Sequence, residues 1–161
     1  MLPLTIVFED EHLIVVDKAS GIAMHPAPGS MRGTMVNALL AHCGDSLSGI
    51  GGVARPGIVH RIDKDASGVV VFALHAEAHR ALSLAFEHRL VSKTYAAFVA
   101  GPIEPSEGRL EVPLHPARKG KTRPAVPGEP GAQAATTVYV THDREDAAAL
   151  ARQVDAGGAA E

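Results

Sequence analysis

Two short apolar runs near the start of the chain predict a β-hairpin. They cover Leu4–Phe8 and Leu13–Asp17, and the acidic stretch Glu9–Glu11 separates them. Short apolar runs with a polar break between them are typical of adjacent antiparallel strands. Gly and Pro residues follow, so we expect a loop before the next regular element.

Two later stretches carry apolar residues at helical spacing. The first predicts a helix over Thr34–Cys43, because Thr34 suits an N-cap and Gly44 suits the end of a helix. The second predicts a helix over Ala76–Leu90 with a nearly continuous apolar stripe. The stripes comprise Met35, Ala38, Leu39 and Cys43 in the first helix, and Ala78, Ala81, Leu82, Ala85, Phe86 and Leu90 in the second.

The remaining pattern predicts mostly strands. Val69–Ala73 has the β-branched composition of a buried strand, and Lys93–Gly101, Leu110–Leu114 and Ala135–Thr141 are further strand candidates. Glu145–Val154 is Ala-rich and charged, a pattern that predicts a short helix. Together the elements predict a mixed α+β fold, with a largely antiparallel sheet and two helices packed on it.

Composition places the chain among globular proteins. It has 161 residues, 46% of them hydrophobic, which is enough for one domain with a core. The single cysteine, Cys43, excludes an internal disulfide and fits a reducing compartment. No apolar run approaches the ~18 residues of a membrane span. The start of the chain is acidic where a signal peptide is basic, so we expect a cytoplasmic protein.

The net charge of −3 hides an uneven distribution. Residues 1–50 hold two basic and five acidic side chains, residues 51–123 hold eleven and seven, and residues 124–161 hold two and six. The middle of the chain is therefore positive, and a local phosphate-binding surface is compatible with an acidic chain. The densest positive segment carries Arg118, Lys119, Lys121 and Arg123 around a glycine. It predicts either phosphate contacts or a solvated charged turn.

A polar segment stands between two apolar runs. We call His60–Gly68, with the sequence HRIDKDASG, the polar loop. If the chain is extended there, Arg61 and Asp63 project to one face and Ile62 to the other. An Arg beside an Asp favours the ionised carboxylate, which suits a nucleophile or an electrostatic stabiliser. On residues alone, a salt-bridged turn between two strands is the simpler interpretation.

Other catalytic motifs fit the polar loop poorly. The kinase catalytic loop has Asp directly after His-Arg and an Asn downstream, but here Ile62 intervenes and no such Asn follows. A triad of His60, Asp63 and Ser67 lacks the turn that exposes a nucleophilic serine. His75 and His79 have the spacing of a metal pair, yet no third ligand matches, so we interpret them as surface histidines.

The polar loop and the strand after it resemble the signature of the RluA-type RNA pseudouridine synthases, usually written HRLDKDTSGLLLVA. The departures include Ile62, Ala66 and Phe72. The segment Lys93–Gly101 is similar to a second family motif, K-x-Y-x-A-x-V-x-G. The opening of the chain also resembles the family, with Ala19 where Pro is common.

The resemblance implies roles for particular residues. It implies that Asp63 is the catalytic carboxylate and that Arg61 helps to open the site when the target base flips out. It implies that Tyr95 packs against that base. His60 is expected to contact RNA. The expected phosphate-binding residues are the basic ones named above, Arg118, Lys119, Lys121 and Arg123.

The resemblance implies an isomerase that converts uridine to pseudouridine in ribosomal or transfer RNA. No metal or organic cofactor is expected, because both bonds belong to one substrate, and we expect a monomer. The match runs from about Leu4 to Thr141, so we expect residues 1–141 to be the N-terminal portion of the catalytic domain. Residues 142–161 predict a divergent tail, since no segment like the family's R-T-H-Q-I-R motif follows. We therefore expect an incomplete catalytic fold. The alternatives are an inactive RNA-binding relative and a fragment that does not fold cooperatively.

Overall fold

A three-stranded antiparallel sheet begins the chain in the computed structural model. The structure describes residues 2–47, 56–99, 101–116, 122–141 and 148–154. Strands β1 (Thr5–Glu9) and β2 (Leu13–Lys18) form the predicted hairpin, and β3 (Gly68–Ala73) pairs with the other side of β2. The hairpin turn is fixed by Asp10, because its Oδ1 accepts the amide hydrogens of His12 and Leu13 at 2.8 Å each.

The buried face of this sheet follows the alternation of its strands. Ile14 and Val16 of β2, with Val70 and Phe72 of β3, are fully buried. The same register places Lys18 in the core, where it is also fully buried. Because a lysine in a buried register is costly unless it is hydrogen-bonded, Lys18 marks a site that needs an explanation.

Helix α1 (Met35–Cys43) begins at the predicted cap. The Thr34 side chain accepts from the Asn37 amide, and the Asn37 side chain accepts from the Thr34 amide, which forms a capping box. The helix ends at Gly44, whose φ of 61° suits glycine, and a short 3-10 helix follows over Gly44–Leu47. Cys43 is half-buried rather than part of the core. Burial and the charge of Glu9 raise the pKa of its thiol.

Helix α2 (Ala76–Glu87) is shorter and more exposed than predicted. It ends before Leu90, which is 77% exposed, and Arg89 has a left-handed φ of 58° that stops the helix. None of its residues is buried, although four stripe residues are half-buried. These four are Ala78, Leu82, Ala85 and Phe86.

The described chain divides into two compact units, Met1–Phe86 and Glu87–Glu161. The second unit contains a four-stranded antiparallel sheet in the order β4-β9-β8-β5, and a two-stranded hairpin, β6-β7. Its largest buried side chain among the described residues is Tyr139, packed over Gly108. The strands are β4 (Tyr95–Phe98), β5 (Glu107–Glu111), β6 (Leu114–Pro116), β7 (Thr122–Pro124), β8 (Thr136–Thr141) and β9 (Ala148–Val154).

Strand β9 corrects the prediction of a helix over Glu145–Val154. Residues 148–154 pair with β4 on one side and β8 on the other. Helix propensity is a weak preference, and hydrogen-bonded neighbours on both edges outweigh it. Two predicted strands also change. Among the described residues of Lys93–Gly101, the strand covers Tyr95–Phe98, and Leu110–Leu114 is divided between the end of β5 and the start of β6.

The predicted α+β class is confirmed, with two helices and antiparallel strands. The strands form three separate sheets in the described part of the chain, whereas one largely antiparallel sheet was expected. Neither of the described helices is long and apolar enough to cross a membrane.

Candidate active site

The polar loop presents two charged side chains to solvent. Ile62 is 8% exposed and anchors the loop in the core, while Arg61 and Asp63 on either side of it are exposed. This is the alternation that the sequence predicts. The expected salt bridge is not formed: neither Arg61 nor Asp63 has an ion-pair partner among the described residues. Both groups are therefore accessible to a ligand.

The buried side chain of Lys18 binds the backbone of the polar loop. Its buried Nζ donates to the carbonyl oxygens of Ala19 at 3.0 Å, Ile22 at 2.9 Å and Lys64 at 2.9 Å. An ammonium group has three hydrogens, so three acceptors satisfy it fully. Burial lowers the pKa of Lys18, and the nearby carboxylates of Asp65 and Asp63 oppose this shift.

The segment after Lys18 adds two more contacts to the loop. The Ser20 hydroxyl donates to the Asp65 carbonyl at 2.7 Å, and the Gly21 amide donates to the Lys64 carbonyl at 2.9 Å. Within the loop, the Ala66 amide donates to the Asp63 carbonyl at 3.2 Å and closes a turn. The backbone on the C-terminal side of Asp63 is thus fastened while its carboxylate stays exposed.

Two histidines hold the N-terminal side of the loop. His60 Nε2 accepts the Val71 amide hydrogen at 3.1 Å, and the His60 ring stacks on Phe86 with centroids 4.4 Å apart. His79 donates from Nε2 to the Ile58 carbonyl at 3.0 Å. His60 therefore has a packing role, and its contact with RNA stays a prediction. His75 and His79, interpreted as surface histidines, are half-buried, and each forms a hydrogen bond.

The supporting residues were not identified from the sequence. Lys18 and Ser20 lie 46 and 45 positions before the loop residues that they contact. One signal was available, because Lys18 continues the inward register of Ile14 and Val16. A lysine at an inward strand position indicates either an error in the strand assignment or a buried group with dedicated acceptors.

The other predicted site residues lie in the second unit. Tyr95 is half-buried at the start of β4, opposite Ala151 of β9. Arg123 lies on β7, where its guanidinium donates to both carboxylate oxygens of Glu129. Hydrogen bonds from Arg123 and the Val126 amide lower the pKa of Glu129 to about 2. Arg118, Lys119 and Lys121 lie outside the described residues.

A family model described as RNA pseudouridylate synthase matches residues 12–157. This range contains the whole polar loop, Tyr95 and strand β9. The chain belongs to the RNA pseudouridylate synthase family, and within it to the RluA-type enzymes, as the signature in the polar loop predicts.

Relatives from several bacteria are similar over most of the chain. Ribosomal large subunit pseudouridine synthase D of Zymomonas mobilis is 48% identical over 139 residues, which are 86% of this chain and 43% of the relative. An uncharacterized RNA pseudouridine synthase, YlyB of Bacillus subtilis, is 40% identical over 156 residues, or 97% of this chain and 51% of the relative. The chain spans about half the length of these curated relatives.

Solved structures support the fold. Human RNA pseudouridylate synthase domain containing 4 matches with a TM-score of 0.68 and 25% identity, and it covers 92% of this chain and 57% of the human one. Human RNA pseudouridylate synthase domain containing 1 matches with a TM-score of 0.67 and 18% identity, over 94% of this chain and 59% of the human one, which bears on the fold alone.

Proposed function

We propose that this chain carries the catalytic carboxylate of an RNA pseudouridine synthase that isomerises uridine in ribosomal or transfer RNA. The observation that carries the proposal is the exposure of Asp63 on a loop whose backbone is held by buried contacts. Several relatives are named ribosomal large subunit pseudouridine synthases, so large-subunit ribosomal RNA is the first substrate to test.

The reaction moves uracil from one bond to another on the same ribose. The glycosidic bond from C1′ to N1 breaks, the base turns, and C1′ joins the base through carbon. One proton leaves that carbon and one is gained at nitrogen, so no oxidant or reductant is consumed. Since the base must turn, the uridine has to leave its stack first. A carboxylate at the sugar–base centre acts as nucleophile or as stabiliser of developing positive charge, and Asp63 supplies it.

The other predicted residues have supporting roles in this proposal. Arg61, which is exposed like Asp63, occupies the space that the flipped base vacates. Tyr95 stacks on the base, because an aromatic face accepts any base. Arg118, Lys119, Lys121 and Arg123 contact phosphates, and His60 lines the approach of the RNA. We further propose that the protein works as a monomer in the cytoplasm and that the reaction uses no metal or organic cofactor.

The test is pseudouridine formation on transcribed large-subunit ribosomal RNA and on transfer RNA. Asp63→Asn keeps the size of the side chain and removes the carboxylate, so product formation should fall below detection. Asp65→Asn is the matched control, because it makes the same change two positions away on the same exposed loop. We expect Asp65→Asn to retain most of the wild-type activity.

The outcomes separate the alternatives. Product from wild type and Asp65→Asn, with none from Asp63→Asn, supports the assignment. Equal product from wild type and Asp63→Asn overturns the role of Asp63. If wild type forms no product but binds RNA in a salt-sensitive way that Asp63→Asn does not change, the protein is an RNA-binding relative without activity.

A further inference from the structure

Three side chains with metal-binding atoms converge in the first unit, among the described residues that the polar loop does not use. Glu9 is the last residue of β1, and His42 and Cys43 are the last two residues of α1. One ligand atom from each side chain lies within 4.8 Å of the other two. Thirty-three positions separate Glu9 from His42, so the fold creates this group and no local sequence motif announces it.

Two of the three ligands already face each other. His42 Nε2 lies 3.1 Å and 3.0 Å from the two carboxylate oxygens of Glu9. Their side chains are 38% and 37% exposed, so an ion can enter from solvent. Cys43 is half-buried, so it is less exposed than the other two residues.

The donor set selects the class of metal. A thiolate, an imidazole and a carboxylate are the three ligand types that zinc uses, whereas magnesium and calcium take oxygen ligands. With zinc bonds of about 2.3 Å to sulfur and about 2.0 Å to nitrogen, tetrahedral neighbours lie about 3.5 Å apart. The present spacing of up to 4.8 Å therefore needs a closure of about 1 Å, which side-chain rotation supplies.

We propose that Glu9, His42 and Cys43 bind a zinc ion, with the fourth position open to water. The ion displaces the thiol proton of Cys43, and it binds Nε2 of the neutral His42 tautomer that carries its hydrogen on Nδ1. The zinc ion links the end of β1 to the end of α1. Its three ligands lie close together only in the folded protein. Zinc should therefore raise the melting temperature of the protein. The site is separate from the polar loop, so this inference does not depend on the proposed catalytic role of Asp63.

A second pair of histidines also brings metal-binding nitrogens together, and it provides the control. His12 Nδ1 lies 2.8 Å from His75 Nε2 at the opposite end of the hairpin turn, with Glu11 near the other nitrogen of His12. The facing nitrogens already share one hydrogen, and no third ligand atom converges on them in the described residues. His12→Gln removes this pair and leaves the proposed site intact.

The experiment is a titration of the metal-free protein with Co²⁺, followed by displacement with Zn²⁺. We expect one equivalent of Co²⁺ to give the visible bands of a tetrahedral site and a near-ultraviolet thiolate charge-transfer band, which Zn²⁺ removes. Cys43→Ser should abolish the charge-transfer band. His42→Gln and Glu9→Gln should each weaken binding by at least about tenfold. His12→Gln should change neither the spectrum nor the affinity.

A second measurement keeps the proposal falsifiable if a variant fails to fold. Because Cys43 is the sole cysteine, one equivalent of Zn²⁺ should slow alkylation of the wild-type protein, and a chelator should restore the rate. A cobalt spectrum without a thiolate band, or an alkylation rate that zinc does not change, would overturn the proposal. Equal loss of binding in His12→Gln and His42→Gln would also count against it.

Discussion

The polar loop of the first unit and the β6–β7 hairpin of the second both concentrate charge, but they are held in different ways. Lys18 and Ser20, more than forty residues earlier in the chain, bind the backbone of the loop and leave Arg61 and Asp63 exposed. In the hairpin, Arg123 pairs with Glu129 only six residues away. Long-range backbone contacts leave Arg61 and Asp63 available to a ligand, whereas a local ion pair occupies the guanidinium of Arg123.

The largest expected effect lies where the chain enters the polar loop. Gly57 has a φ of 73°, and an added Cβ would lie 2.7 Å from the Ala73 carbonyl oxygen and 3.1 Å from Leu47 Cδ2. We expect Gly57→Ala to lower the free energy of unfolding by about 4 kcal/mol, because backbone strain and a clash with backbone act together. Urea denaturation measures the loss.

Gly21→Ala is the matched control for this substitution. Gly21 has a similar φ of 85°, but nothing lies within 4 Å of an added Cβ. Gly21→Ala should lower the free energy of unfolding by only about 1 kcal/mol, the cost of the left-handed backbone alone. An equal loss in the two variants would mean that the close approach of Gly57 to Ala73 does not matter.

The next effect tests the attachment of the polar loop. Lys18→Met keeps the length of the side chain but removes the donor shared by three carbonyl groups, of which the Lys64 carbonyl still accepts from the Gly21 amide. We expect a loss of about 3 kcal/mol in the free energy of unfolding, together with reduced activity. Lys64→Met changes an exposed lysine in the loop itself and should stay within about 0.5 kcal/mol of wild type.

The stability of wild type relative to Lys18→Met should also depend on pH. Burial lowers the pKa of Lys18 in the folded state below its ordinary value of 10.5. Between the two values the unfolded chain binds more protons, so the stability of wild type relative to Lys18→Met should rise with pH in that window. If the difference in unfolding free energy between wild type and Lys18→Met does not change up to pH 10.5, the result would argue against the buried environment of Lys18.

A smaller effect is expected at the start of α2. The Ala78 amide donates to His75 Nδ1 at 3.3 Å, so Nε2 carries the hydrogen that is donated to His12 Nδ1. His75→Ala should cost about 1 kcal/mol, the usual loss of an N-cap. His75→Asn retains an acceptor at this position and should recover part of the loss in thermal denaturation. If the two variants are equally unstable, the cap is not what His75 contributes.

The smallest effect on stability is expected in the second unit. Arg123→Ala should change the unfolding transition only modestly, because solvent screens the exposed guanidinium of this pair. It should raise the pKa of the Glu129 carboxyl, followed by NMR, part of the way toward its ordinary 4.5, since the Val126 amide still donates to it. The pair's stabilisation should be complete above pH 4.5 and should disappear as pH falls through about 2. Arg109→Ala breaks the separate pair with Glu111 and should leave Glu129 unchanged.

Local patterns predicted much of the first unit. The hairpin, the Thr34 cap and strand β3 follow from alternation and capping within a few residues, and the exposure of Arg61 and Asp63 follows from the buried Ile62 between them. The attachment of the loop was not predictable in this way, because Lys18 and Lys64 meet only in the folded chain.

The errors in the second unit have the same origin. An Ala-rich sequence over 148–154 favours a helix by itself, but β4 and β8 lie on either side of it and supply hydrogen-bond partners. The shift of the Leu110–Leu114 strand likewise reflects pairing with β8, which begins 25 residues after the end of β5. Register with a distant strand overrides the boundaries that apolar residues suggest.

The position of β9 also determines when the sheet of the second unit can form during synthesis on the ribosome. Strand β4 is at the sheet edge, and among the described strands it pairs only with β9. Tyr95 therefore cannot pair with Ala151 until 56 more residues have been synthesised. At roughly 5–20 residues per second, that delay is about 3–11 s. Throughout it, the edge of β4 that pairs with β9 is open in the nascent chain. The sheet of the second unit therefore forms only after β9 has been synthesised, and until then the unpaired edge of β4 is an expected binding site for chaperones that shield apolar strands.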